Sequence, residues 1–242
     1  MSRLSEVRQQ LRARSSPAKA ASSARFFKTG EGQYGEGDIF IGVTVPEQRA
    51  IAASAKDLPL ADITKLLASQ VHEERLLACI LLAGRGQRAA KAGDEAETKR
   101  LANFYWKRRL GINNWDLVDS SAEHVLGPYY FKRSRAPLFK MARSKRLWER
   151  RIAVLTTFHF IRQGDFKDTL RLAELLMEDM HDLIHKACGW MLREVGKREP
   201  ESLRAFLDEN AARMPRTMLR YALEKLAPRE RQHYMKKTIL GA

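Results

Sequence analysis

The chain has 242 residues, 44% of them hydrophobic and 30% charged, which is a globular composition and not a disordered one. Its 44 Lys and Arg outnumber 29 Asp and Glu for a formal net charge of +15, so the expected partner is a polyanion, nucleic acid and not a membrane surface, because no amphipathic basic tail stands apart from the body. The longest apolar run, Leu76 to Gly84, falls far short of the roughly 20 residues a membrane span needs, and two cysteines exclude a disulfide framework or a four-Cys zinc site.

Residues 1–29 carry Arg3, Arg8, Arg12, Arg14, Lys19, Arg25 and Lys28 against Glu6. An Arg- and Ser-rich, acid-poor start fits an organellar transit peptide or a basic surface helix. Sparse apolar residues and no secretory hydrophobic region favour the helix. The Thr29–Asp38 loop follows. It is glycine-rich but lacks a GK[ST] ending, so it is not read as a phosphate loop. Ile39–Val45 is the one candidate strand. An extended linker into a helix opened by Pro46 is the preferred reading, because a first helical turn tolerates a missing N–H.

From there the pattern is helical. Apolar residues recur at spacings of three and four: Leu66, Leu67, Val71; then Leu76, Leu77, Ile80, Leu81; later Ile152, Leu155, Phe158, Ile161 and Leu172, Leu175, Leu176. About a dozen helices are expected. Pro17, Pro46, Pro59, Pro128, Pro137, Pro200, Pro215 and Pro228 mark element starts. Asn114, Ser144 and Asp165 are candidate caps. Cys79 and Cys188 lie in apolar helical patterns and read as buried thiols in a reducing cytosol.

Four segments share a register: VHEERLLACILLAG, RLWERRIAVLTTFHF, HKACGWMLREV and RTMLRYALEKLA. NNWDLVDSSAEHVLG takes the second place. The anchors Ala78, Val118, Ala153, Ala187 and Ala222 are separated by 40, 35, 34 and 35 residues. Helix pairs at that period predict an all-α fold, an α-solenoid of HEAT-like repeats forming one domain over 1–242. An irregular helical bundle is the competing fold. In a solenoid the second helices line a concave basic groove matched to a duplex. Arg75, Arg146, Arg150, Arg151, Lys186, Arg193, Arg216 and Arg220 are the candidates for that face, each alternatively an ordinary solvated cation.

His181 and His185 sit four apart, but without a third ligand they read as polar-face histidines and not as a metal site. The informative segment is Asn113–Asp119. Trp115 and Asp119 are four apart and share a helix face. Arg151 falls near the same position in the next repeat, while the spacing of Trp190 does not place it on that face. Core packing for the tryptophans and a salt bridge for Asp119 with Arg151 are the alternatives.

NNWDLVDS at 113–120, LWERRIAVL at 147–155 and KACGWMLREVGKREP at 186–200 occur in this order, with SPAKAASSARFFK and FIGVTVPEQR before them. In these segments the chain resembles the AlkD-like DNA alkylation repair family, HEAT-like-repeat DNA glycosylases. The resemblance implies excision of cationic N3- and N7-alkylated purines from duplex DNA, in base excision repair, with no metal or organic cofactor. It implies Asp119 as the active-site carboxylate, Trp115 and Trp190 as cleft aromatics, and Arg151 as the cleft arginine. Phe26 stands where the family has a tyrosine, which removes a hydroxyl and keeps the aromatic face.

The chemistry fits those residue types. A cationic purine is a good leaving group, and a carboxylate under the sugar stabilises the developing oxocarbenium charge. Tryptophan faces attract cations by roughly 0.5–2 kcal/mol. A planar arginine grips phosphate in two places and favours an ionised carboxylate beside it. Whether the base is flipped, or left in an open cleft as the resemblance implies, stays open. A non-catalytic HEAT-like protein binding damaged or branched DNA is the alternative function, and a protein-binding scaffold a weaker one. A monomeric, cytoplasmic protein is expected.

Overall fold

A computed structural model describes residues 2–237; Met1 and residues 238–242, within the domain expected over 1–242, lie outside the described residues. The described chain is all-α, with no strand. Its one β-bridge joins Ile39 to Val71. No helix among the described residues is long and apolar enough to cross a membrane. Two compact units divide the chain, residues 1–129 and 130–242.

Unit 1 contains α1 (Arg3–Arg12), α2 (Pro17–Phe26), α3 (Val45–Ser54), α4 (Leu60–Leu67), α5 (His72–Ala92), α6 (Glu95–Arg108), a 3-10 turn, α7 (Trp115–Asp119) and α8 (Ala122–Val125). The basic start is a helix: Ser2 caps α1, and Leu4, Val7 and Leu11 bury one face of it. α5 is the central element, packing on α3, α4, α6, α7 and α8. Leu77 and Leu82 are fully buried, each contributing about 1.5–3 kcal/mol. Gly86 lets α5 approach α8, since a Cβ there would lie 2.2 Å from the His124 carbonyl oxygen. The 39–45 segment is a linker. Ile39 exchanges backbone hydrogen bonds with Gln70 and His72, and the buried Glu73 carboxylate accepts from the N–H groups of Ile41 and Gly42.

The division between the units falls within α9 (Gly127–Phe131). Unit 2 continues with α10 (Ala136–Ala142), α11 (Leu147–Arg162), α12 (Lys167–Leu175), α13 (Asp182–Gly196), α14 (Pro200–Asn210), α15 (Arg216–Ala222) and α16 (Pro228–Lys237). Here the helical repeat is direct. The second helices α11, α13 and α15 pack on one another in sequence, and α10, α12 and α14 pack on them. α13 and α15 meet closely at Gly189, where a Cβ would lie 2.4 Å from the Met218 carbonyl oxygen.

All five repeat anchors are buried. All eight prolines stand within one residue of a helix start. The second repeat helix is broken: α7 ends at Asp119 and α8 begins at Ala122. Ser121 has φ −131° and turns its hydroxyl back onto the Leu117 carbonyl at 2.6 Å. Asn114 caps α7 as expected. Asp165 is not a cap. Its carboxylate accepts from Arg135 at 2.7 Å, and Phe166 holds the cap position of α12. Ser144 accepts from the Arg146 N–H just ahead of α11.

Candidate functional site

Unit 1 places Trp115 and Asp119 at the two ends of α7. Asn114 is fully buried, and its side-chain oxygen accepts from the Trp115 N–H at 2.8 Å. The indole lies flat on Phe27, with ring centroids 5.0 Å apart and 9° between planes. Phe26 meets the same indole edge-on at 5.9 Å and is 67% exposed. The structure therefore brings Phe26 to Trp115, and adds Phe27 as its stacking partner.

Asp119 is half-buried and lines a cleft of about 690 Å³ with residues of α3, α5 and α8. Arg49, Lys56 and Arg88 are exposed cations on its lining, beside Gln87 and His124. Three fixed positive charges and one carboxylate suit an anionic chain carrying a local positive centre. None of those three cations was singled out by the sequence reading. The signal available was weak: Arg49 lies within α3, Lys56 just past its end, and Arg88 four residues past Gly84 on α5, all outside the repeat register.

Beneath Trp115 lies a buried polar cluster that the sequence reading also missed. The His72 imidazole is 2.9 Å from Asp38 through Nδ1 and 2.8 Å from Asp116 through Nε2. Asp38 also accepts from Arg75 and from the Asn114 side-chain amide. Burial opposes the imidazolium, but the hydrogen bonds to Asp116 and Asp38 outweigh it and hold the His72 pKa above its ordinary value. Burial likewise opposes the Asp38 carboxylate, while His72, Arg75 and Asn114 together hold its pKa down.

This corrects one expectation. Arg75 is buried, its guanidinium engaged by Asp38 and the Ser69 carbonyl. It is a core cation of unit 1 and not a surface contact for DNA, because α5 turns that face inward.

Unit 2 holds the other candidates. Arg151 on α11 is buried and donates to the Leu183 carbonyl. Trp190 on α13 is half-buried and meets Phe158 edge-on at 5.7 Å. Arg146 and Arg220 are exposed. Arg150 pairs with Asp179, Lys186 with Asp182, and Arg193 with Glu224 and Glu194. Arg216 donates to the Met235 carbonyl. His181 is a helix cap, its Nδ1 accepting from the Leu183 N–H at 3.2 Å. Cys79 and Cys188 are buried thiols, each pushed up to about 12 by burial.

Residues 7–226 match the family model described as DNA alkylation repair enzyme. In fold the chain is similar to the solved structure of a predicted DNA alkylation repair enzyme from Enterococcus faecalis, with 16% identity and a TM-score of 0.64 over 89% of this chain and 98% of that one. No curated protein matches it.

Proposed function

The chain belongs to the family of DNA alkylation repair enzymes, and from that premise we propose that it is a DNA glycosylase removing cationic N3- and N7-alkylated purines from duplex DNA. The observation that carries this reading is Asp119, a carboxylate on a cleft whose lining includes the cations Arg49, Lys56 and Arg88, on the same short helix as an aromatic platform. In this reading the cations hold backbone phosphates. Asp119 lies under the lesion sugar and stabilises the oxocarbenium charge as the N-glycosidic bond breaks. The purine takes the bonding pair and leaves as the neutral alkylated base; water then adds to the sugar carbon and gives up one proton.

Trp115 and Phe26 offer ring faces, whose negative potential favours a cationic nucleoside over a neutral one. Within unit 2, Trp190 offers a further aromatic face, and Arg151 a guanidinium that is buried on the Leu183 carbonyl and must be freed from it to hold a phosphate. Arg146, Arg150, Lys186, Arg193, Arg216 and Arg220 are the backbone contacts this reading assigns to unit 2. The protein acts as a monomer, without a cofactor, in the cytoplasm.

The test is single-turnover release of N7-methylguanine from methylated duplex DNA, compared with spontaneous loss without protein. Release above background is expected. Tight binding of the same duplex with release at the background rate replaces the glycosylase by a non-catalytic reader of damaged DNA.

A further inference from the structure

α7 has five residues, too few to fix its own orientation through intrahelical hydrogen bonds. Something outside the helix must aim Trp115 and Asp119. Both residues flanking Trp115 are anchored. Asn114 reaches Asp38 at 3.0 Å, and Asp116 reaches the His72 Nε2 at 2.8 Å. The same imidazole closes the aromatic stack from below. Its ring lies 4.4 Å from Phe40 and 4.9 Å from Phe27, and Phe27 in turn stacks on the Trp115 indole.

We propose that His72 is a positioning residue, which ties the 29–38 loop to α7 through Asp38 and Asp116 and thereby sets the orientation of the Trp115 ring and of Asp119. The proposal rests on the reading of Trp115 and Asp119 as the working residues.

The protonation state follows from the geometry. A neutral imidazole has one N–H, so one of two facing carboxylates would meet a lone pair. With an N–H on each nitrogen both contacts are attractive, and the raised pKa of His72 agrees with this. The charged groups around it are Asp38 from the loop, Asp116 from α7 and Arg75 on its own helix; the Cys79 thiol stands two turns along α5. Two carboxylates balance two cations. An apolar cluster of equal volume would be as stable or more so. The gain from the ionic one is directional: four hydrogen bonds from His72, Arg75 and Asn114 converge on Asp38 and Asp116 and restrain α7 from both sides of Trp115. Loss of the proton on the Asp116 side turns an attraction into a repulsion, so the positioning weakens as pH rises.

The experiment compares wild type, His72→Gln and Asp116→Asn. Single-turnover excision per folded molecule is read from mildly acidic to mildly alkaline pH, with Trp115 fluorescence followed in parallel by difference against Trp115→Phe. Wild type is expected to lose rate on the alkaline side. His72→Gln is expected to be about 10-fold slower or more, the scale of misplacing a reacting group by less than 1 Å, and to lack that alkaline fall. Asp116→Asn is the conservative control. Its new amide donates to the lone pair of a neutral imidazole, so the bridge survives, the rate holds and the alkaline fall disappears.

A His72→Gln protein with wild-type rate and wild-type pH profile, altered only in melting temperature, overturns the proposal. If His72→Gln does not fold, Asp116→Asn decides, and an unchanged alkaline fall there overturns it equally. If wild type releases no base at all, the glycosylase reading fails on its own. The fluorescence then decides the positioning: a pH transition of Trp115 in wild type that Asp116→Asn removes upholds it, and its absence overturns it.

Discussion

Trp115 and Phe27 stack face to face, with ring centroids 5.0 Å apart and planes within 9°, while the neighbouring Phe26 touches the same indole only by its edge. Two adjacent phenylalanines thus have different work. Phe27 supports Trp115 from within unit 1. Phe26 is exposed beside it.

Phe27→Leu keeps bulk and removes the stacked face. It is expected to cost about 0.5–1.5 kcal/mol of stability, the worth of an aromatic pair, and to slow excision. Phe26→Leu is expected to leave stability within about 0.5 kcal/mol and to weaken binding of the lesion. Melting curves beside the concentration dependence of excision separate the two. Equal effects of both substitutions on melting would contradict the division.

Asp119→Asn preserves volume and removes one negative charge. Release of N7-methylguanine is expected to fall by roughly 10²-fold or more, the scale of one transition-state electrostatic contact. Affinity for the duplex is expected to hold or tighten, because the cleft loses a charge of the same sign as the phosphates. Single-turnover rates above the no-enzyme background, with binding titrations alongside, check both halves; wild-type rates in the variant would remove Asp119 from the chemistry.

Arg49, Lys56 and Arg88 line the Asp119 cleft. If each neutralises one phosphate, replacing it by Ala is expected to flatten the plot of log affinity against log salt by roughly 0.9. Loss should be alike across undamaged sequences, since phosphate contacts carry no base information. A slope unchanged in all three variants would move DNA off this face.

Arg75 and Arg220 are expected to behave oppositely. Arg75→Met leaves Asp38 buried without its guanidinium, at a cost of about 3–5 kcal/mol. Arg220 is exposed, and Arg220→Ala is expected to stay within about 0.5 kcal/mol while weakening DNA binding. Denaturant unfolding measures the first. A stable Arg75→Met protein with weakened DNA binding would return Arg75 to the surface role expected of it from sequence.

The buried cluster makes stability depend on pH at both ends. The His72 pKa is raised above 6.5 in the folded chain. Its contribution is therefore complete below the unfolded value and is lost as pH rises through the folded one. The Asp38 pKa is lowered below 3.8. Its contribution is complete above the unfolded value and is lost as pH falls through the folded one. The melting-temperature gap between wild type and His72→Gln is expected to be widest from mildly acidic to neutral pH and to narrow on the alkaline side. A gap that does not change with pH would mean that His72 is neutral throughout.

What the residues alone determined is local. Spacings of three and four made the helices, because side chains one turn apart share a face. Prolines marked their starts, because a first turn has no need of that N–H. The anchors Ala78, Val118, Ala153, Ala187 and Ala222 were legible because each repeat buries the same position against its neighbour, and Asn114 as a cap because its partner is the next residue. Only the tertiary structure decided which charges face inward. Arg75 and Arg220 are equivalent as letters in a basic chain; one is closed over by the 29–38 loop and the other is not. Asp38 and His72 are 34 residues apart, and Phe27 and Trp115 are 88 apart. No periodicity links such pairs. They meet because the Ile39–Val71 bridge lays the end of the 29–38 loop along the start of α5, and α5 packs on α7; burial then obliges each polar atom to find whichever partner the fold has brought within reach.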